Sequence, residues 1–322
     1  MSLRPKFKVA VAAMVRPHFF DEFAEWVDWH EFIGVEHFFI YDDTDNRALS
    51  KAFGGDGRLT FVNWLEAAPR GEQLRLIQTE LMSRTLEAVR PSCEWLAFID
   101  DDEFLISSEN NLHQILDGLK NANAVGLEIF LRTFGTHNHK QKPEGLVLEN
   151  FLTWQPRFLT KTICRPEYCR NAKRLNSLYY QDEAQPVYIN GTPRTEPVLA
   201  SAIKARLGSP IWGNLWLNHY VTKSEEHFKA KIERGCMTKP ERGQTPGGRP
   251  VYGSKWNPEK LKRWGRRAKG MELFDWEEMA PSVLPQFKAD FPRVNTPEPL
   301  GKPLTTEPRD TFFDQNPQKP PI

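Results

Sequence analysis

Four consecutive carboxylates, Asp100, Asp101, Asp102 and Glu103, follow the apolar run Trp95-Leu96-Ala97-Phe98-Ile99. The run is too short for a typical helix and is bounded by polar sequence, so it reads as a buried strand. Carboxylates crowded at the mouth of such a strand repel one another and are costly to desolvate. A hard divalent cation relieves that repulsion, because carboxylate oxygens are its preferred ligands. Side chains alternate along extended chain, which places Asp100 and Asp102 on one side and Asp101 on the other. The expected metal site is therefore Asp100 with Asp102, facing a phosphate. The competing reading is an acidic turn left in water. The calcium-loop spacing of alternating acids, a glycine and a distant Glu is absent.

The elements that must position this cluster follow a regular alternation. Residues 8–15 form a short apolar run and a first strand, broken by Arg16, Pro17 and His18. Phe20, Phe23, Trp26, Val27 and His30 then fall at helical spacing, and Gly34 ends that helix by a left-handed cap. Residues 35–41 form a second strand, followed at once by Asp42, Asp43 and Asp45. Open parallel sheets bind ligands at the carboxyl ends of their strands. Residues 59–65 are a third strand candidate, 73–89 a long amphipathic helix, 112–119 a short helix and 124–134 another strand. Strands alternating with helices predict an α/β fold with a mostly parallel central sheet and helices on both faces.

The texture changes after Gly135. A polar loop carries His137, His139 and Lys140, and residues 146–154 are apolar apart from Glu149 and Asn150. Residues 158–164 read as a short edge strand, 166–210 as irregular, 215–221 as a last strand and 224–235 as a helix. A Gly/Pro/Arg-rich stretch over 238–258, a basic helix over 259–269 and an extended Pro-rich tail over 292–322 complete the chain. The expected organisation is one domain over 1–291: a first half to about residue 135, an acceptor half over about 136–235, and a loop with C-terminal helices over about 236–291.

Composition sets the outer bounds. Lys plus Arg number 43 against 42 Asp plus Glu, so nothing in the charge balance calls for nucleic acid. No early apolar stretch is long enough to span a bilayer or resembles a secretory signal. The four cysteines form no CxxC pair and read as reduced thiols, which suits a cytoplasmic protein. The basic run from Lys260 to Lys269 is a solvated face or a peripheral contact to an anionic membrane or glycan.

Four stretches together resemble the family 92 glycosyltransferases, which have a type A glycosyltransferase fold. They are Glu25-Trp26-Val27-Asp28-Trp29-His30 with Gly34 to Asp42; Trp95 to Leu105, where the family carries Asp-x-Asp followed by Glu-Phe; Arg132-Thr133-Phe134-Gly135 with Pro143 to Glu149; and Asn218 to Phe228. Arg16-Pro17-His18 stands where the family usually has Lys-Asn-Glu after the first strand.

The resemblance implies a metal-dependent transferase. It moves a sugar from a nucleotide-diphosphate donor, UDP-linked with galactose as the first choice, to a glycan or glycoconjugate hydroxyl by inversion. Mn²⁺ or Mg²⁺ on Asp100 and Asp102 would act as the Lewis acid, with His219 as third ligand tilting the choice to Mn²⁺; a core histidine is the competing reading of His219. Asp42 and Asp43 are candidates for the nucleoside or for capping their own turn. Asp101, Lys223 and Arg132 are candidate donor contacts. Glu149, then Glu144, is the candidate general base, with an ion pair to Arg157 or Arg132 as the alternative for Glu149. Trp154, Trp212, Trp216 and Trp256 are candidates for an acceptor platform or for the core. A metal-dependent phosphoesterase and a non-catalytic carbohydrate-binding relative are the rival functions.

Overall fold

The structure is a computed structural model that describes residues 6–62, 74–108, 111–174, 177–195, 200–233, 240–244, 250–252, 274–275 and 284–290. The basic run over 259–269, Trp256 and the tail over 292–322 lie outside the described residues, as do most of 238–258.

The opening half follows the expected alternation: β1 (Phe7–Val15), α1 (Phe20–Phe32), β2 (His37–Asp42), α2 (Ala48–Phe53), β3 (Leu59–Val62), α3 (Leu74–Val89) and β4 (Cys93–Phe98). Helical crossovers return the chain to the same end of the sheet, so β3, β2, β1 and β4 run parallel, with β4 added on the side of β1 away from β2. Alternate residues of β1 serve opposite faces. Val9, Val11, Ala13 and Val15 pack with Trp26 and Trp29 of α1, while Ala10 and Ala12 pack with Met82 and Leu86 of α3. Helices therefore cover both faces.

The second half contains β5 (Glu103–Ser107), α4 (Leu112–Asn121), β6 (Gly126–Phe134), α5 (Val147–Asn150), β7 (Thr153–Cys164), β8 (Cys169–Arg174), β9 (Ser177–Tyr180) and β10 (Val187–Tyr188). It continues with α6 (Ala200–Leu207), β11 (Leu215–His219), α7 (Glu225–Glu233) and, among the later residues, α8 (Leu284–Asp290). Here the sheet departs from the expectation of a mostly parallel one. Among the described residues the order is β3-β2-β1-β4-β7-β6-β11-β5, with β4–β7, β7–β6 and β11–β5 antiparallel and β6–β11 parallel. The sheet is mixed because β7 runs back between β4 and β6, antiparallel to both. Strand β7 is longer than expected and lies between β4 and β6 rather than at an edge.

Strand β5 closes the sheet. Five residue steps separate Phe98 from Glu103 and reach at most about 17 Å, whereas a flat sheet would place β5 four strand spacings, about 19 Å, from β4. The sheet must therefore curl, which brings β5 back toward α1. The outer edge of β5 is satisfied by that helix: Trp26 Nε1 donates to the Glu103 carbonyl (2.7 Å) and Trp29 Nε1 to the Leu105 carbonyl (2.7 Å). His30 Nε2 accepts from the Leu105 amide (3.1 Å), and its Nδ1 lies 2.7 Å from the Trp26 carbonyl. That pattern fixes a neutral ring with the proton on Nδ1. Three side chains of the Trp-Val-Asp-Trp-His motif thus do the work of a missing edge neighbour.

Candidate functional site

The acidic cluster sits where β4 turns into β5. Glu103 donates its amide to the Asp100 carbonyl (3.0 Å), and the Asp100 amide donates to Glu103 Oε2 (2.9 Å). This is a tight turn, not extended chain, so strict alternation ends at Asp100. Asp100 faces a cleft on one side. Asp101 and Asp102 both face a second cleft. That corrects the expectation that Asp100 and Asp102 share a direction.

Asp100, Asp102 and Glu103 each have a cation beside them. Lys161 of β7 reaches Asp100 Oδ2 (2.7 Å) and Glu103 Oε2 (2.8 Å). Lys231 of α7 reaches Asp102 Oδ2 (2.6 Å), and His219 Nε2 lies 3.5 Å from Asp102 Oδ1. Burial pushes the Asp102 carboxyl up, but Lys231 and His219 outweigh it and hold it well below the usual range. Burial pushes Glu103 up despite Lys161. Burial would depress His219, and Asp102 reverses this and raises it. His219 stands directly across from Glu103 in the β11–β5 register, with Nδ1 3.9 Å from Glu103 Oε1.

Asp102 and His219 adjoin, but Asp100 is turned into the other cleft and bound to a buried lysine. Among the described residues no group of three donors is gathered for a metal ion. The set Asp100, Asp102 and His219 does not fit the ion as arranged.

The second cleft lies at the carboxyl ends of β1 and β11. It is lined by Arg16, His18, Asp101, Asp102, Lys223 and Lys231, among others. Lys223 has a left-handed backbone (φ 47°), a conformation a non-glycine residue adopts at a cost of about 1–3 kcal/mol. Its Nζ lies 2.6 Å from Glu22 Oε2. Glu22 Oε1 lies 2.5 Å from His227 Nε2, and His227 Nδ1 lies 2.6 Å from Ser224 Oγ. Burial would raise Glu22, but Lys223 and His227 pull it down to about 2. The same ion pair raises Lys223 against the effect of burial. Ser224 Oγ also accepts the His227 amide (3.3 Å), as a helix N-cap does.

The first cleft opens over β1, β2 and β4. Ala12, Ala13, Met14, Tyr41 and Phe98 give it an apolar wall, and Asp100 with Lys161 gives it a charged end. Small residues on β1 leave the slot open.

The remaining candidates fall elsewhere. Asp42 caps its own turn: Oδ1 accepts from the Thr44 amide and hydroxyl, and Oδ2 from the Ser50 amide at 2.8 Å. Its carboxylate is engaged by α2 and its approach, not turned toward a nucleoside. Asp43 lies 3.8 Å from an Arg16 guanidinium nitrogen and so helps orient that side chain. Arg132 lines neither cleft. It lies buried 4.2 to 4.9 Å from the rings of Trp216, Trp154 and Trp212, with Nε and Nη1 lacking a hydrogen-bond partner. Desolvation lowers it to about 10. The aromatic faces are what hold this cation, and three of the tryptophans offered as an acceptor platform are occupied by it.

Glu149 is on the single-turn helix α5, not in a strand. Its Oε1 pairs with Lys288 (2.5 Å) and its Oε2 accepts from the Leu146 amide (3.4 Å). Neither Glu149 nor Glu144 lines either cleft. Glu149 forms an ion pair, as its alternative reading had it, but with Lys288 rather than Arg157 or Arg132.

Sequence reasoning missed Glu22, His227 and Lys231. His227 and Lys231 are four apart in the predicted helix and so share a face. That spacing, beginning just after Lys223-Ser224, was the available signal.

The two clefts lie at the carboxyl ends of the strands with an acidic turn between them, the place where open α/β sheets bind ligands. The model for glycosyltransferase family 92 matches residues 6–175. That is more than half of the 322 residues, and the chain belongs to this family. A family 92 protein from Oryza sativa subsp. japonica is 25% identical over 219 residues, covering 66% of this chain and 33% of the relative. One from Ricinus communis is 25% identical over 223 residues, covering 66% and 35%. The chain thus spans about a third of the length of these relatives. A solved 4-diphosphocytidyl-2C-methyl-D-erythritol synthase from Anaerococcus prevotii aligns over 50% of this chain and 72% of its own at 11% identity. Its TM-score of 0.28 is too low to bear on the fold. No helix among the described residues is long and apolar enough to cross a membrane.

Proposed function

We propose that the chain transfers a sugar, galactose in the first instance, from a UDP-linked donor to a glycan hydroxyl with inversion. The observation that carries this is the second cleft, where Arg16, Lys223 and Lys231 converge beside the acidic turn at the strand ends. Ammonium and guanidinium groups there suit a diphosphate. The adjoining apolar slot over Ala12 to Met14, with Asp100 at its charged end, suits a nucleoside.

In the transfer step the bond from the anomeric carbon to the diphosphate oxygen breaks and its electron pair stays on that oxygen. Lys223 and Lys231 meet the developing charge, and being pre-positioned they need no reorganisation. The acceptor oxygen attacks from the opposite face, and its proton passes to a carboxylate. Asp101 takes this role. It lines the second cleft, and this reading puts the acceptor on its side of the sugar and the diphosphate on the side of the two lysines.

Isothermal titration with UDP and with a panel of nucleotide sugars tests the reading. UDP should bind at micromolar strength, about −8 kcal/mol, and one UDP-sugar should be consumed faster with a glycan acceptor than without. Absence of nucleotide affinity would favour the carbohydrate-binding alternative. Consumption of the donor with release of phosphate and no acceptor product would favour the phosphoesterase.

A further inference from the structure

Helix α7 delivers two side chains to the acidic turn, His227 and, one turn later, Lys231. The start of the helix is anchored. His227 bridges Ser224 and Glu22 at 2.6 and 2.5 Å, and Glu22 belongs to α1. Lys231 is therefore held in register, with Nζ 2.6 Å from Asp102 Oδ2 and 3.2 Å from the Val221 carbonyl. Two oxygen acceptors hold the ammonium at the lip of the cleft. The carboxylate that would complete a metal pair, Asp100, is bound to Lys161 on the other side of the turn.

We infer that Asp102 takes the Lys231 ammonium as its cation in place of a divalent ion, and that Lys231 carries this charge to the donor's diphosphate. The second half of this inference rests on the donor reading above; the pairing of Lys231 with Asp102 does not. Lys231 binds substrate through its one remaining N–H, while Asp102 and the carbonyl of Val221 set its direction. Removing the ammonium should then do two separable things: expose Asp102 to metal, and weaken the diphosphate.

The test compares the wild-type chain with Lys231→Met, Lys231→Arg and the double variant Lys231→Met/Asp102→Asn. Mn²⁺ uptake is followed by electron paramagnetic resonance and folding by thermal melting. The wild-type chain should take up no Mn²⁺ through Asp102. Lys231→Met, which keeps most of the apolar stem, should gain a Mn²⁺ site that the double variant lacks. In the presence of EDTA the wild-type affinity for UDP should be unchanged. Lys231→Met should lose about tenfold of it, the worth of one charge-assisted hydrogen bond, and Lys231→Arg should recover most of that loss. Mn²⁺ uptake by the wild-type chain that disappears in Asp102→Asn would overturn the pairing. Unchanged UDP affinity in Lys231→Met would overturn the role toward diphosphate. A chain that binds UDP in no condition would end the donor reading, while the Mn²⁺ comparison would still decide the pairing.

Discussion

Asp101 and Glu149 are both acids in stretches that read as functional, and their surroundings separate them. Asp101 lines the cleft that holds Lys223 and Lys231. Glu149 is tied to Lys288 and to the start of its own helix. Asp101→Asn should therefore lower kcat by about a hundredfold or more, the usual worth of a general base, with UDP affinity retained. Glu149→Gln should leave kcat within about twofold and cost no more than about 1 kcal/mol of stability, since both partners of its ion pair are partly exposed. Steady-state kinetics on the two variants decide the matter, and the reverse ranking would return the base to Glu149. The difference was not legible in the chain. The four carboxylates announced themselves by density, but what makes each useful is a partner far away in sequence: Lys161 is 61 residues from Asp100 and Lys231 is 129 from Asp102. No spacing rule reports contacts of that range. Asp42 reads two ways for a related reason, because an Asx turn and a strand-end ligand begin with the same residues.

Helix α1 was legible as an element, and its period-3.6 pattern set its limits well. Its motif residues had a use the pattern did not reveal, which is to satisfy the outer edge of β5. Two of its buried groups, His30 serving β5 and Glu25 serving α5, make these contacts measurable. Burial lowers His30 from 6.5 to about 3, against the pull of its bond to the Trp26 carbonyl. Burial raises Glu25 from 4.5 to about 8, against the two amides of Val147 and Leu148 that it accepts. For His30 the unfolded chain binds the extra proton, so its stabilising contribution is complete above about 6.5 and is lost as pH falls toward 3. For Glu25 the folded chain holds the extra proton, so stability is lost as pH rises from 4.5 to about 8. Between 4.5 and 6.5 the two slopes oppose each other, and from 6.5 to about 8 only Glu25 acts. Urea denaturation across this range should show Glu25→Gln removing a decline on the alkaline side. His30→Asn should remove the opposing slope between 4.5 and 6.5. Curves of both variants parallel to the wild type would mean that neither group is held as described.

At the scale of the molecule, the parallel half of the sheet could be read from the chain and the mixed half could not. Strands β2 and β3 each lie beside the strand that the preceding helix links them to, and β4, which follows α3, takes the other side of β1. The order β4-β7-β6-β11-β5 instead depends on pairings between distant segments, with β5 taken from a run that looked like no more than a return to the core. Lys161 is the stitch between the halves. It rises from β7 and binds both ends of the turn that connects β4 to β5, at 2.7 Å to Asp100 and 2.8 Å to Glu103. Glu103 is 1% exposed, so loss of the ammonium would strand a carboxylate in the interior. Lys161→Met should cost about 3–5 kcal/mol in urea denaturation, the scale for breaking a buried pair from one side. Pairing it with Glu103→Gln should recover much of that cost, because both charges are then gone. The double variant keeps the fold but not the geometry of the turn, so it should unfold like the parent and yet bind UDP more weakly. If the single and double variants were equally unstable, Lys161 would be contributing packing alone, and the two clefts would not owe their arrangement to this ion pair.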